Sequence, residues 1–149
     1  MISPGIARLW CALIVAPWLM ALCAPYRACG FDAPGAQLHG YWLLAIGWIG
    51  PLAANFGWYA NVLLLMGVAR LAMGRLPGNW TALAGLGLAA SALLPAWIFD
   101  FDTDGRFHAN FIRGQAVLWW LASFVILAIG WVIFTILPSF RRPPPKIPS

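Results

Sequence analysis

The sequence predicts an all-α membrane protein: a polytopic bundle of four transmembrane helices with one short interfacial or re-entrant helix. Three observations predict this fold. Of the 149 residues, 62% are apolar and only 9% are charged, whereas an ordinary soluble domain is roughly 25% charged. The apolar residues form stretches long enough to cross roughly 30 Å of hydrocarbon, which takes about 20 helical residues. The basic residues are also distributed unevenly among the loops, as in membrane proteins with a defined orientation.

The predicted spans are apolar stretches within a single membrane domain of residues 1–137. They cover residues 9–26, 56–73, 80–99 and 114–137. Arg8 and Arg27 bound the first span, and Arg70 lies near one end of the second, where its long side chain can reach the headgroups. Pro17 interrupts the first apolar segment and no convincing cleavage site follows it, so we expect a retained span rather than a signal sequence.

The second span follows an uncharged stretch, residues 40–69, that is too long for one crossing and too short for two. Gly50-Pro51 and Asn55-Phe56-Gly57 are its natural breakpoints, because proline removes a helical hydrogen-bond donor and glycine relaxes the backbone. We therefore expect residues 41–54 to form the interfacial or re-entrant helix and the second span to begin at Phe56.

The charges predict the orientation of the four spans. One side of the membrane carries basic residues without any acid: Arg8, Arg70, Arg75, Arg141, Arg142 and Lys146. The other side carries the remaining arginines together with all four aspartates. The positive-inside rule places the first side, with both termini, in the cytoplasm of a bacterial inner membrane. The net charge of +5 then follows from topology and requires no nucleic acid. The basic, proline-rich tail of residues 138–149 is expected to be stiff and close to anionic headgroups.

Three of the four acidic residues stand at alternate positions between the third and fourth spans, at Asp100, Asp102 and Asp104, before Gly105. This spacing resembles the first half of an EF-hand calcium loop. The EF-hand places a bidentate Glu at its twelfth position, where this chain has Phe111. A calcium site on the three aspartates would therefore be weak. The alternative is a solvated polar turn in which nearby arginines balance the carboxylates.

Other metal and redox chemistry has less support in the sequence. His39 and His108 are the only histidines, and both are expected on the outer side, either near the aspartates as transition-metal ligands or as unrelated loop residues. No span offers a facing pair of histidines for haem. Cys23 and Cys29 could close a disulfide at the outer end of the first span. The chain has no Cys-x-x-Cys pair, which argues against a thiol oxidoreductase. We predict no cofactor, with weak calcium binding by the aspartates as the alternative.

Polar groups inside the spans are few. The absence of Asp, Glu, Lys and His there argues against ion-coupled transport. The strongest remaining polar groups are expected to hydrogen-bond between helices, at about 1 kcal/mol each. They are Asn55, Asn61, Ser91, Gln115 and Ser123. A small-solute permease would instead line a polar cavity with Asn55, Asn61 and Gln115.

The third span is rich in small residues, with Gly85 and Ala89 at the spacing that permits close helix approach. This surface could serve the internal bundle or a partner. Four of the ten tryptophans fall near the predicted membrane interfaces, where indoles are favoured. They are Trp10, Trp58, Trp80 and Trp97.

Two short segments are rich in glycine and aromatic residues: Gly47-Trp48-Ile49-Gly50-Pro51 and Trp58-Tyr59-Ala60-Asn61. They resemble a pattern of small uncharacterised bacterial four-span inner-membrane proteins, with Val62 where the pattern has proline. The resemblance implies a bacterial four-span protein and carries no activity with it.

No nucleophile-base pair, metalloprotease motif or phosphate loop is visible in the sequence. We therefore predict a protein that is not an enzyme and that acts in the lipid bilayer by binding a membrane or periplasmic protein. It would be an accessory subunit of a larger complex or an immunity protein against a membrane-acting toxin. The alternative is a periplasmic sensor that reads a divalent cation through the aspartate loop, and a fainter alternative is a small-solute permease.

Overall fold

The structure, a computed structural model, describes residues 2–28, 38–48, 56–93, 96–99, 107–110 and 112–136. Two long helices dominate it, α1 (Pro4–Cys23) and α5 (Gln115–Ile136). They contain 20 and 22 residues, and so extend about 30 and 33 Å at 1.5 Å per residue. By length and composition, these two helices can cross a membrane.

Two shorter apolar helices complete the bundle. A 3-10 turn (Gly57–Tyr59) leads into α3 (Ala60–Ala72), and a π-helical segment (Trp80–Ala84) leads into α4 (Gly85–Ser91). A further short helix, α2 (Gly40–Ile46), packs against α1.

In the described ranges, five short strands lie between the helices: β1 (Pro25–Ala28), β2 (Leu38–His39), β3 (Ala96–Phe99), β4 (Phe107–Asn110) and β5 (Ile112–Arg113). β1 is the middle strand of a three-stranded antiparallel sheet of order β2-β1-β5, and β3 pairs with β4 in a separate antiparallel ladder. The register sets Arg27 opposite Arg113. The helical bundle is therefore joined to two small β-ladders.

The four helical segments form a closed ring in which α1 packs on α3 and α5, and α4 packs on the same two helices. The core between them contains large side chains that are almost completely buried: Ile14, Leu64, Leu71, Phe124, Leu127 and Phe134. Buried residues recur at helical spacing along each segment, for example Ala7, Ile14, Pro17 and Ala21 in α1 and Gly85 and Ala89 in α4, so each helix turns one face toward the core.

The bundle has two distinct ends. The Asn61 end contains the last turns of α1 and α4 and the first turns of α3 and α5, and the strands continue the chain there. The Arg70 end contains the start of α1, the turn of residues 73–79 and the end of α5. At the Arg70 end the backbone N–H of Ile2 donates to the carbonyl of Gly74 at 2.9 Å. Gly74 has φ of 69° in that turn, a conformation that glycine adopts without strain.

The third predicted span differs most from the structure. Residues 80–99 were expected to form one helix, but α4 ends at Ser91 and Ala96–Phe99 is a strand. Pro95 lies between the two elements in sequence, and proline disfavours a helical conformation in the residue before it. Trp97, Ile98 and Phe99 are residue types that favour strands. The prediction of one continuous helix over residues 80–99 is therefore wrong.

The other predicted segments lie close to observed helices. The spans 9–26, 56–73 and 114–137 correspond to Pro4–Cys23, Gly57–Ala72 and Gln115–Ile136. The first helix begins at Pro4 because proline suits the first helical turn, where its missing N–H has no partner to lose. Of the predicted helix 41–54, the first part is α2. Residues 49–54, including Pro51, and the tail of residues 138–149 lie outside the described residues.

Candidate functional site

A single buried amide joins three parts of the bundle at the Asn61 end. The Asn61 side chain is only 7% exposed. Its Oδ1 accepts hydrogen bonds from Nε1 of Trp18 in α1 at 3.0 Å and from Nε1 of Trp120 in α5 at 2.9 Å. Its Nδ2 donates to the carbonyl of Trp58 at 3.0 Å. Because an indole nitrogen can only donate, the amide oxygen must face the two rings, and both of its lone pairs are used.

The antiparallel packing of the helices creates this arrangement. Trp18 lies near the end of α1, while Asn61 and Trp120 lie near the starts of α3 and α5, so the three side chains meet at one height. The Trp120 ring also packs edge-on against the buried ring of Phe124, with centroids 5.1 Å apart. The indole is therefore held in place by the core as well as by its hydrogen bond.

The same network extends to α2 through Trp58. The Trp58 indole donates to the carbonyl of Leu44 at 2.8 Å, while its own carbonyl accepts from Asn61. Next to it, the Tyr59 hydroxyl donates to the carbonyl of Trp48 at 3.3 Å. The expectation that Asn61 bonds between helices is confirmed, and its partners are the indoles of Trp18 and Trp120, for which the sequence made no prediction.

The Arg70 end carries a second asparagine-indole bridge. Nε1 of Trp131 in α5 donates to Oδ1 of Asn79 at 3.0 Å, and both groups are near the surface. Close by, Nε of Arg70 donates to the carbonyl of Leu76 at 2.9 Å. The Arg70 side chain is exposed, so its charge reaches the solvent or headgroup side of the turn.

The hydroxyl groups of Ser91 and Ser123 bond within their own helices, whereas the sequence predicted bonds between helices. Ser91 donates to the carbonyl of Leu88 at 2.6 Å, and Ser123 donates to the carbonyl of Trp119 at 3.4 Å. Each serine thus bonds a carbonyl one turn earlier in its own helix, which satisfies a hydroxyl in an apolar setting without a second helix. Gln115 is exposed at the start of α5, and Asn55 lies outside the described residues.

The structure describes the strands on either side of the aspartate loop but not the loop itself. Asp100, Asp102 and Asp104 lie outside the described residues, in the connection between β3 and β4, whose last register pair is Phe99 with Phe107. Strands therefore flank the loop where an EF-hand has helices.

The histidines and cysteines are separated in the described part of the chain. His39 lies in β2 and His108 in β4, which belong to different ladders. Residues 2–28, 38–48, 56–93, 96–99, 107–110 and 112–136 contain no group of three or more His, Cys, Asp or Glu that could hold a metal ion. Cys11 and Cys23 are free thiols, and Cys29 lies outside these ranges.

The small residues of the third segment divide between two faces. Gly85 and Ala89 are buried, and a Cβ added to Gly85 would lie 3.4 Å from Cβ of Leu63. These two positions therefore serve the internal bundle. Gly87 and Ala90 face outward, and a Cβ on Gly87 would meet nothing within 4 Å.

An apolar groove of about 260 Å³ opens between α4 and α5. Its lining is aliphatic: Leu86, Val125, Ala128, Ile129, Val132 and Ile133. Such a surface has no polar group with which to orient a polar solute.

The chain matches no protein-family model, no curated protein and no solved structure. The resemblance to small bacterial four-span proteins remains a prediction from its two short segments. The contacts, exposure and charges of this chain alone must therefore support a functional proposal.

Proposed function

We propose that the chain is a four-span integral membrane protein without catalytic activity, which acts by binding a partner protein as an accessory subunit or an immunity protein. The surface of the long helices supports the membrane part most strongly. Only 22% of the apolar window of α1 and 39% of that of α5 are buried. A core helix of a soluble protein would be mostly buried, and so much exposed apolar surface requires lipid or protein to cover it.

The shorter segments would form the other two crossings. At 1.5 Å per residue, Gly57–Ala72 extends about 24 Å and Trp80–Ser91 about 18 Å, both less than the roughly 30 Å of hydrocarbon. A local thinning of the bilayer accommodates short spans at a modest cost. In this arrangement, β3 and β4 lie at the membrane surface, where their polar backbone edges can be hydrated.

The charges orient the protein in the proposed membrane. Arg8, Arg70 and Arg75 belong to the Arg70 end, while Arg27 and Arg113 belong to strands at the opposite end. The positive-inside rule then makes the Arg70 end cytoplasmic. The aspartate loop, with the other arginines, faces the periplasm of a bacterial cell.

The outer face of the π-helical segment and α4, Trp80–Ser91, is the surface proposed for the partner. Leu83, Gly87 and Ala90 are exposed and stand at helical spacing of four and three residues, so they share one face. The small side chains at 87 and 90 allow a second helix to approach closely, and Leu83 provides apolar contact area.

The polar core supports a binding role over a permease. Both lone pairs of the Asn61 oxygen are occupied by indoles, so this amide is not available to line a solute path. The groove between α4 and α5 is aliphatic. The permease therefore gains no support from the described residues, and the aspartates on which the cation sensor depends lie outside them.

Photo-crosslinking in the native membrane tests the binding role. A photoreactive amino acid at Leu83 or at Ala90 should yield one discrete adduct with a membrane protein. The matched control is Leu9, which is exposed on α1 and away from α4. Adducts from Leu9 that equal those from Leu83 and Ala90, or the absence of protein adducts from all three, would contradict the proposed surface.

A further inference from the structure

The groove between α4 and α5 lies in one half of the bundle. Its α5 wall is formed by residues 125–133, in the half of the helix that ends at Ile136, and Leu86 forms the α4 wall. The groove therefore runs from the middle of the bundle toward the Arg70 end. Val125, Ile129 and Val132 are partly exposed along it, so an occupant can enter from the side.

The elements around the Arg70 end of this groove are amphipathic. The Trp131 indole is hydrogen-bonded to Asn79, the residue before the π-helical segment, and Trp131 precedes Val132 of the groove wall. Trp80 is 81% exposed beside Asn79. Indoles in such positions favour the headgroup region of a bilayer.

Positive charge lies in the same turn. Nε of Arg70 is bonded to the carbonyl of Leu76 and would lie 4.0 Å from a Cβ added to Gly78, directly before Asn79. Arg75 is exposed in this turn. The described residues contain no Asp or Glu, because the four acidic residues of the chain, Asp32, Asp100, Asp102 and Asp104, lie outside them. The turn is therefore complementary to an anion.

An apolar groove that runs toward an end with exposed arginines fits one class of ligand. We infer that the groove and the 70–79 turn form a binding site for an anionic phospholipid. One acyl chain lies along α5, and the phosphate meets Arg70 and Arg75. Basic pockets between transmembrane helices on the cytoplasmic side bind anionic headgroups in this manner. The inference rests on the proposed function, because the groove must face lipid.

The test uses the full chain, purified in detergent and placed in nanodiscs of phosphatidylcholine with or without phosphatidylglycerol. Native mass spectrometry measures which lipid stays bound, and thermal unfolding measures stabilisation. We expect phosphatidylglycerol to be retained in preference. Arg75→Gln should lower its affinity about fivefold, the equivalent of about 1 kcal/mol per basic residue. Val132→Trp should fill the groove and abolish the retention.

Three controls separate a defined site from general surface charge. Arg8→Gln removes a basic residue of the same end, outside the 70–79 turn, and should leave retention unchanged. Arg70→Lys and Arg70→Gln both disrupt the Nε bond to Leu76, so only their difference reports the charge. Lysine should preserve lipid binding and glutamine should reduce it.

Each contrary outcome has a distinct meaning. Equal retention of both lipids, an Arg8→Gln effect as large as that of Arg75→Gln, or unchanged retention in both Val132→Trp and Val125→Trp would overturn the lipid site. These results leave the membrane location intact. Complete release of the chain from membranes by alkaline carbonate would instead overturn the proposed function.

Discussion

The two asparagine-indole bridges use the same chemistry in different surroundings. Asn61 is buried and accepts from two indoles on two helices, whereas Asn79 is near the surface and accepts from one. At the Asn61 end, a lost acceptor leaves indole N–H groups without water, which costs about 1–3 kcal/mol per buried group. At Asn79, water or headgroups can replace the lost partner. The difference in burial, more than the hydrogen bonds themselves, thus determines how much stability each bridge contributes.

The largest effect is expected from Asn61→Leu. Leucine has a similar size but no acceptor, so Trp18 and Trp120 both lose their bonds, and we expect a loss of about 2–4 kcal/mol in the free energy of unfolding. Denaturant titration in micelles, followed by tryptophan fluorescence, measures the change. Asn79→Leu is the matched control and should cost less than about 1 kcal/mol. Equal losses at the two positions would remove the distinction between the ends.

A smaller but substantial loss is expected from Gly130→Ala, which tests packing in the half of α5 nearer the Arg70 end. A Cβ at position 130 would collide with the indole of Trp10, which donates to the carbonyl of Ile126 at 3.2 Å and packs edge-on against Phe134. Overpacking of this kind costs about 1–3 kcal/mol.

Gly87→Ala is the control for this substitution, because its Cβ would enter open space. The free energy of unfolding should stay the same or rise, since alanine is the better helix former. If Gly130→Ala proves equally harmless, α1 and α5 do not approach each other as closely as described.

Single indole substitutions should have intermediate effects at the Asn61 end. Trp18→Phe and Trp120→Phe keep an aromatic ring but remove the donor, and each should cost about 1 kcal/mol. Because both indoles share one acceptor, the double mutant should deviate from additivity by at least about 0.5 kcal/mol. A double-mutant cycle measured by unfolding in micelles checks the coupling, and strictly additive losses would show that the two bonds form independently.

The smallest effect is expected at the surface bridge. Trp131→Phe should change the free energy of unfolding by less than about 1 kcal/mol, because water can donate to the Asn79 Oδ1 that has lost the indole N–H. The same measurement in micelles checks it. A loss as large as that of Trp120→Phe would show that the Asn79 bridge is shielded from solvent.

Hydropathy was sufficient to predict where the helices of the bundle occur, because long apolar stretches have few alternatives in a chain with so few charges. It could not predict the end of α4, since an apolar run such as residues 96–99 suits a helix or a strand equally by periodicity. Asn61 was identifiable as a polar residue that needs a partner. Its indole partners were not, because their meeting depends on the relative heights of α1, α3 and α5.

The sequence predicted Trp58 and Trp10 near membrane interfaces, and in the structure each indole also donates a hydrogen bond to the carbonyl of another helix. Trp58 joins α2 to the 3-10 turn through Leu44, and Trp10 joins α1 to α5 through Ile126. Interfacial preference follows from residue type and position along a span, whereas a bond to a distant carbonyl depends on packing that no local pattern contains. The aspartate loop lies outside the described residues, so its role remains a prediction.

The orientation of the two ends is the central claim, and phosphatase fusions test it most directly. Fusions after Arg75 and after Ser149 should be inactive, because the Arg70 end and the basic tail are proposed to be cytoplasmic. A fusion after Asp104 should be active, because the aspartate loop is proposed to face the periplasm. Immunoblots of each fusion control for expression. An active fusion after Ser149 together with an inactive one after Arg75 would contradict the four-span bundle.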